Sequence, residues 1–222
     1  MRSLSWMALA LAGTAPLAAQ SNDPDKAVAG GGTVPAGWTV RLDRAEGKMA
    51  DVKFVPMGGG LHITLGPSGI FYRDADQVNG SFHAVATFNQ TKAPTHPEAY
   101  GLFVGGNSLK DSAQTYIYFI VRGTGDYSIR QRQGATVTNI SQGNRNGWSA
   151  NDAVTKQDSV TGKATHKLEI SGDAKTRKLS FSVNGKKIHE MDAPESAFKG
   201  VVGLRVNHNI DVHIDGFAVH KL

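Results

Sequence analysis

Cysteine is absent from all 222 residues. That excludes disulfides, thiolate metal sites and cysteine nucleophiles. Glutamate is scarce, with Glu46, Glu98, Glu169, Glu190 and Glu195 the only five. No Gly-x-Ser-x-Gly string occurs, so the nucleophile elbow of serine hydrolases is missing. The basic excess is small: 24 Lys and Arg stand against 19 Asp and Glu, a formal charge of +5. No basic run exceeds Lys186-Lys187, so the charge forms no nucleic-acid footprint and no nucleic-acid partner is expected. Beyond the N-terminus, no apolar run approaches the roughly 18 residues of a membrane helix.

Residues 1–20 read as a secretory signal peptide. Arg2 gives a short positive start and Met7-Ala-Leu-Ala-Leu-Ala12 begins an apolar run. Ala15-Pro-Leu-Ala-Ala19 then supplies small residues ahead of polar Gln20. Cleavage near Ala19 or Gln20 leaves no membrane span, and bacterial periplasmic or secreted localisation is expected. Residues 21–37 are rich in Gly, Ala and Pro and read as a flexible linker. Residues 38–222, roughly 185 of them, can bury one core without disulfide staples and read as a single domain.

Within that domain, apolar side chains recur at every second position. His166, Leu168 and Ile170 alternate with Lys167, Glu169 and Ser171; Leu179, Phe181 and Val183 alternate with Lys178, Ser180 and Ser182. Phe82, Ala84, Ala86 and Phe88 form another such face, as do Ile117, Phe119 and Val121. A period of two marks half-buried strands. Asn184-Gly185 tolerates the positive φ of a two-residue type I′ turn, which sets Val183 opposite Lys186 and Phe181 opposite Ile188. An isolated hairpin is unstable in water, so a second sheet must cover its apolar face. Gly58-Gly-Gly60, Gly66-Pro-Ser-Gly69 and Gly123-Thr-Gly125 read as hairpin turns; no helical pattern follows the first two, so they are not phosphate cradles. A short helical turn is expected near Glu195–Phe198. The fold class is all-β: an antiparallel two-sheet β-sandwich of jelly-roll type.

The succession of alternating strand, Gly-containing turn, alternating strand, Val183-Asn-Gly-Lys186 and short return strand resembles the concanavalin A-like lectin/glucanase superfamily. The ending Asp211-Val-His-Ile-Asp-Gly-Phe-Ala-Val219 is similar to that group's last strand. Within the group, the 3-keto-disaccharide hydrolase-like and laminin-G-like sandwiches are nearest. The resemblance runs from Trp38 to Leu222 and rests on fold-determining residues. It implies a glycan, an oligo- or polysaccharide, bound on the concave sheet face and its rim loops.

Strand faces that are not purely apolar are then the candidates. Tyr116, Tyr118 and Arg122 share one face, and Arg130 and Arg132 another, with His83 and Asn89 alongside and Arg205 on a later strand. Aromatic rings stack on sugar C–H faces while Arg and Asn donate to hydroxyls. The competing account is that these side chains cover a solvated sheet through their amphipathic stems. Trp148 is the one aromatic residue of the polar stretch 139–162. It reads either as a sugar platform at the rim or as an anchor packed on the sandwich.

A glycoside-acting enzyme, 3-keto-disaccharide hydrolase-like or a polysaccharide lyase, is the second reading. A structural or cell-surface interaction domain is the third. Laminarinase-type members of the superfamily carry Glu-x-Asp-x-x-Glu, which sets two carboxylates about 5 Å apart. That spacing occurs once, at Glu190-Met-Asp-Ala-Pro-Glu195, but Pro194 there interrupts the single strand on which the motif places its carboxylates. Tyr118, His83, Arg130 and Asn89 are residue types that alginate-lyase-type members use, but the Arg-x-Glu-x-Arg and Gln-Ile-His strings are absent. Asp74 and Asp76 lie in Arg-Asp-Ala-Asp, which reads as a turn. Asp211, His213 and Asp215 share a strand face, with successive ligands roughly 6.5–7 Å apart. One ion needs bonds of about 2.0–2.6 Å, so this face reads as a solvated edge. No catalytic residue, metal ligand or cofactor is assigned, with room left for a structural calcium ion in a loop. Nothing in the sequence sets an oligomeric state.

Overall fold

A strand with apolar residues at alternate positions has one face to bury, and two sheets of such strands bury theirs against each other. The computed structural model describes residues 28–144 and 146–222. The expected signal peptide and the first part of the expected linker lie outside the described residues. Sheet I runs β1 (Thr39–Leu42), β4 (Gly69–Asn79), β14 (Lys199–Val206), β6 (Ala99–Asn107), β7 (Thr115–Arg122), β8 (Asp126–Gln133), β10 (Ser149–Ala150), with β9 (Thr136–Asn139) also paired to β8. Sheet II runs β13 (Lys186–Asp192), β12 (Lys178–Val183), β11 (Ala164–Asp173), β5 (Phe82–Gln90), β15 (Ile210–Lys221), β3 (Gly60–Leu65), β2 (Val52–Met57). All the pairings described are antiparallel. The two-sheet sandwich is the architecture expected from the alternation.

Between the sheets lies one aromatic-rich core. Phe119 of sheet I meets Phe181 of sheet II at 5.4 Å between ring centroids, Tyr100 meets Phe88 at 5.4 Å, and Phe71 meets Phe54 at 5.1 Å. All six are fully buried, and each contributes about 1.5–3 kcal/mol or more of transfer free energy. One histidine is sealed in this core. His166 Nε2 donates to the Thr155 carbonyl at 2.8 Å, so Nδ1 is the acceptor for the Tyr100 hydroxyl at 2.9 Å. Burial pushes the His166 pKa down against the opposing effect of the Thr155 carbonyl, and burial pushes Tyr100 up.

Several local expectations shift. Asn184 (φ 51°) and Gly185 (φ 79°) do reverse the chain, with Val183 opposite Lys186. A bulge between Phe181 and Ser182 then places Phe181 opposite His189 rather than Ile188. Gly66–Gly69 carries the chain from sheet II to sheet I instead of closing a hairpin. Arg73-Asp-Ala-Asp76 is not a chain reversal but part of β4. Gly203 faces Tyr72 and Val201 faces Gln77, so the whole polar stretch bulges opposite Val202. Part of the expected linker lies on the sandwich, where Gly32 N donates to the Val52 carbonyl at 2.8 Å and Val34 packs on the core.

Candidate functional site

The residues of sheet I that alternate with its core point away from sheet II, and alternation alone would leave them in solvent. Most are covered. Tyr116 and Tyr118 are only 2% and 4% exposed, and with Ile70, Tyr72, Phe103 and Ile120 they form a second apolar cluster. Gly203 permits that packing, since a Cβ there would meet the Phe103 ring at 2.6 Å. The tyrosine face expected to receive a ligand is therefore closed.

Arg205 is closed in with it, 5% exposed, its guanidinium 5.5 Å from the Tyr118 ring centroid. Nη1 and Nη2 donate to the two Asp43 oxygens at 2.6 Å each, and Nε and Nη2 reach Asn207 Oδ1 at 3.3 and 3.2 Å. Arg132 Nη1 stands 3.6 Å from the same aspartate. Burial alone would raise the Asp43 pKa, but the guanidiniums of Arg205, Arg132 and Arg41 override it and hold the carboxyl low. Burial likewise works against the charge on Arg205, and Asp43 more than offsets it. Arg205 is thus the buried inner half of an ion pair with the part-exposed Asp43 rather than a donor waiting for a sugar hydroxyl. The covering groups come from loops: Asp43 just after β1, and Leu109 after β6, whose carbonyl accepts from Arg41 Nη1 at 2.6 Å.

At the β8–β10 end the face opens. Trp148 is half-buried there. Its ring centroid is 3.8 Å from the Arg122 guanidinium and 5.1 Å from that of Arg130. Arg122 is held by Asp126 and Arg130 by Ser128 Oγ at 3.0 Å, so both cations are fixed before they touch the indole. Asn144 Oδ1 accepts from the backbone N–H of Asn146 at 3.0 Å and of Trp148 at 3.2 Å, tying the loop that carries the ring. Beside Trp148 lies a cleft of about 720 Å³, lined among others by Thr124, Asp126, Asn144, Asn151 and Lys156.

His83 and Asn89 belong elsewhere. Both stand on the outer face of sheet II, across the core from the other seven candidates, where His83 Nε2 donates to Glu169 at 2.9 Å and Asn89 Nδ2 to Asp215 at 2.9 Å. Asp211, His213 and Asp215 share that face, but β15 lies between β5 and β3 and is no edge strand.

No protein-family model and no curated protein matches the sequence. Solved structures match the fold. The carbohydrate binding module CBM66 from Bacillus subtilis superposes with a TM-score of 0.59 at 9% identity, over 83% of this chain and 96% of that one. A Bacillus subtilis protein of unknown function with galectin-like fold gives 0.57 at 14% identity, over 83% and 89%. The Emp47p carbohydrate recognition domain gives 0.51 at 12%, over 85% and 90%. The fold is the concanavalin A-like jelly roll. At these identities the likeness is one of fold.

The jelly roll also joins residues that the sequence reading passes over. His96, Glu98 and His208 meet where β6 begins and β14 ends. The signal open to sequence was His96-Pro-Glu98, an i, i+2 pair leading into a strand and so pointing to one side. His208 is brought to it only by the pairing of β14 with β6.

Proposed function

We propose that this chain is an exported carbohydrate-binding sandwich whose glycan site is the rim cleft beside Trp148, rather than the centre of the sheet. The observation that carries this reading is an indole, oriented by Arg122 at 3.8 Å, on the wall of a cleft of about 720 Å³ whose other lining residues include hydrogen-bonding Thr124, Asp126, Asn144 and Asn151. An apolar wall with a few convergent polar groups is the usual make-up of a small-ligand site. Arg122 and Arg130 set the ring, while Arg132, Arg205, Tyr116 and Tyr118 build the rigid floor from which the rim projects. His83 and Asn89 take no part. Two proteins that share the fold are carbohydrate-binding by name, CBM66 and the Emp47p domain, which supports the ligand class. The pattern of residues 1–20 supports export.

A glycan array with the wild type and with Trp148→Ala tests this. A positive set of oligosaccharides should lose about tenfold or more in apparent affinity on losing the ring, and Asn151→Ala should lose less. Equal signal from wild type and Trp148→Ala, or none from either, defeats the proposal. New reducing ends or unsaturated products from a polysaccharide panel would replace it with the enzymatic reading, 3-keto-disaccharide hydrolase-like or lyase.

A further inference from the structure

We propose that His96, Glu98 and His208 form a binding site for a first-row divalent metal ion of the Zn2+ class at the end of sheet I. Each side chain offers one ligand atom, and these atoms lie within 4.8 Å of one another. His96 Nδ1 stands 2.9 Å and His208 Nε2 2.6 Å from the same oxygen, Glu98 Oε1. The two imidazoles meet edge to face with centroids 4.8 Å apart. Two imidazoles and a carboxylate are a donor set that zinc takes at about 2.0–2.2 Å per bond, with a further position left for water or a ligand oxygen. Calcium and magnesium favour all-oxygen sites and fit it poorly. To hold the ion, each imidazole turns a ring-nitrogen lone pair toward it. The ligand atoms part to roughly 3.4 Å, the separation a tetrahedron with such bonds requires.

The backbone presets this convergence. Asn207 N donates to the Ala99 carbonyl at 2.9 Å, which zips the start of β6 to the end of β14 and makes Glu98 and His208 the flanking residues. Glu98 Oε2 accepts from Asn207 Nδ2 at 3.2 Å, and Asn207 Oδ1 in turn accepts from buried Arg205. The carboxylate is thereby aimed by an outer partner anchored on the buried Arg205 guanidinium, which is how metal sites hold a ligand in place. The Glu98 side chain is 12% exposed, whereas those of His96 and His208 are 46% and 34% exposed, so the site is closed beneath and open toward water on the imidazole side. The other histidine pairs, His62 with His213 and His83 with His220, have ring centroids 6.1 and 5.8 Å apart. Neither acquires a third ligand to form such a trio among the described residues.

Calorimetric titration of the chelator-treated full chain with zinc chloride tests the assignment. The expected result is one equivalent bound at this site, weakened at least tenfold in His96→Ala, His208→Ala and Glu98→Gln. Asn207→Ala should also weaken it about tenfold with all three ligands intact, which an adventitious histidine pair would not show. Thermal melts in chelator report whether each variant is folded, and the exposed His96→Ala keeps the test decisive if Glu98→Gln is not. Absence of saturable uptake by the wild type, or uptake that His96→Ala and His208→Ala leave unchanged, overturns the proposal.

Discussion

Replacing Asp43 with asparagine keeps the shape of the side chain and removes its charge. Arg205 then remains desolvated, with Asn207 Oδ1 as its other side-chain hydrogen-bond acceptor. Breaking one half of a buried pair costs about 3–5 kcal/mol, because the surviving charge has no compensation. The Asp43 side chain keeps 23% of its exposure, so water reaches the pair and the low end, about 3 kcal/mol, applies. For a domain of this length that is a drop in Tm of about 6–12 °C. Urea unfolding at neutral pH, followed by circular dichroism alongside thermal melts, measures it. The pH dependence has a definite sign. The folded Asp43 pKa lies below the unfolded one, so its contribution is complete above about pH 3.9 and is lost as pH falls through the folded value. The gap between wild type and variant should therefore be widest near neutrality and close in acid. Asp43→Asn with Arg205→Met removes both charges and should recover most of the loss, since apolar replacement of a buried pair is close to neutral. A single variant within about 0.5 kcal/mol of wild type, or a double variant as unstable as the sum of the singles, refutes the reasoning.

Gly185→Ala isolates a backbone term, because Gly185 has φ 79° and a Cβ there would touch nothing within 4 Å. The cost should be the left-handed penalty of about 1–2 kcal/mol, read as a lower thermal midpoint; an unchanged midpoint would show that the turn relaxes. His166, whose folded pKa is depressed chiefly by burial, stays neutral while the unfolded chain takes a proton below about pH 6.5. Stability should accordingly fall as pH drops below that value, by up to about 1.4 kcal/mol per pH unit, with His62 and His189 acting in the same direction. Melts across this range should show a shallower slope for His166→Gln, and an equal slope would contradict the account.

Alternation at Leu179, Phe181 and Val183, and again at Ile117, Phe119 and Val121, is enough to place their strands and inward faces, because a strand has only two sides. Asn184-Gly185 locates its reversal because few residue pairs accept positive φ at both positions. The bulge after Phe181 is not readable in the same way, since what selects it is pairing across the sheet. Arg73-Asp-Ala-Asp76 shows local turn chemistry absorbed by longer-range pairing: the polar stretch bulges, but β4 continues on both sides of it.

The site divides along the same line. Tyr116 and Tyr118 on β7 and His83 and Asn89 on β5 alternate with core residues alike, yet the two strands belong to opposite sheets. Period-two patterning names the residues that share a face without saying what lies over it, and here Asp43 and Leu109 arrive from distant loops to close the tyrosine side. By itself the sequence determines an all-β sandwich and the inward side of most of its strands, because those follow from local periodicity. Tertiary structure alone decides that Arg205 is sealed, that Trp148 borders a cleft, and that His208 meets His96 and Glu98, because each depends on which strands pair and which loops fold over them.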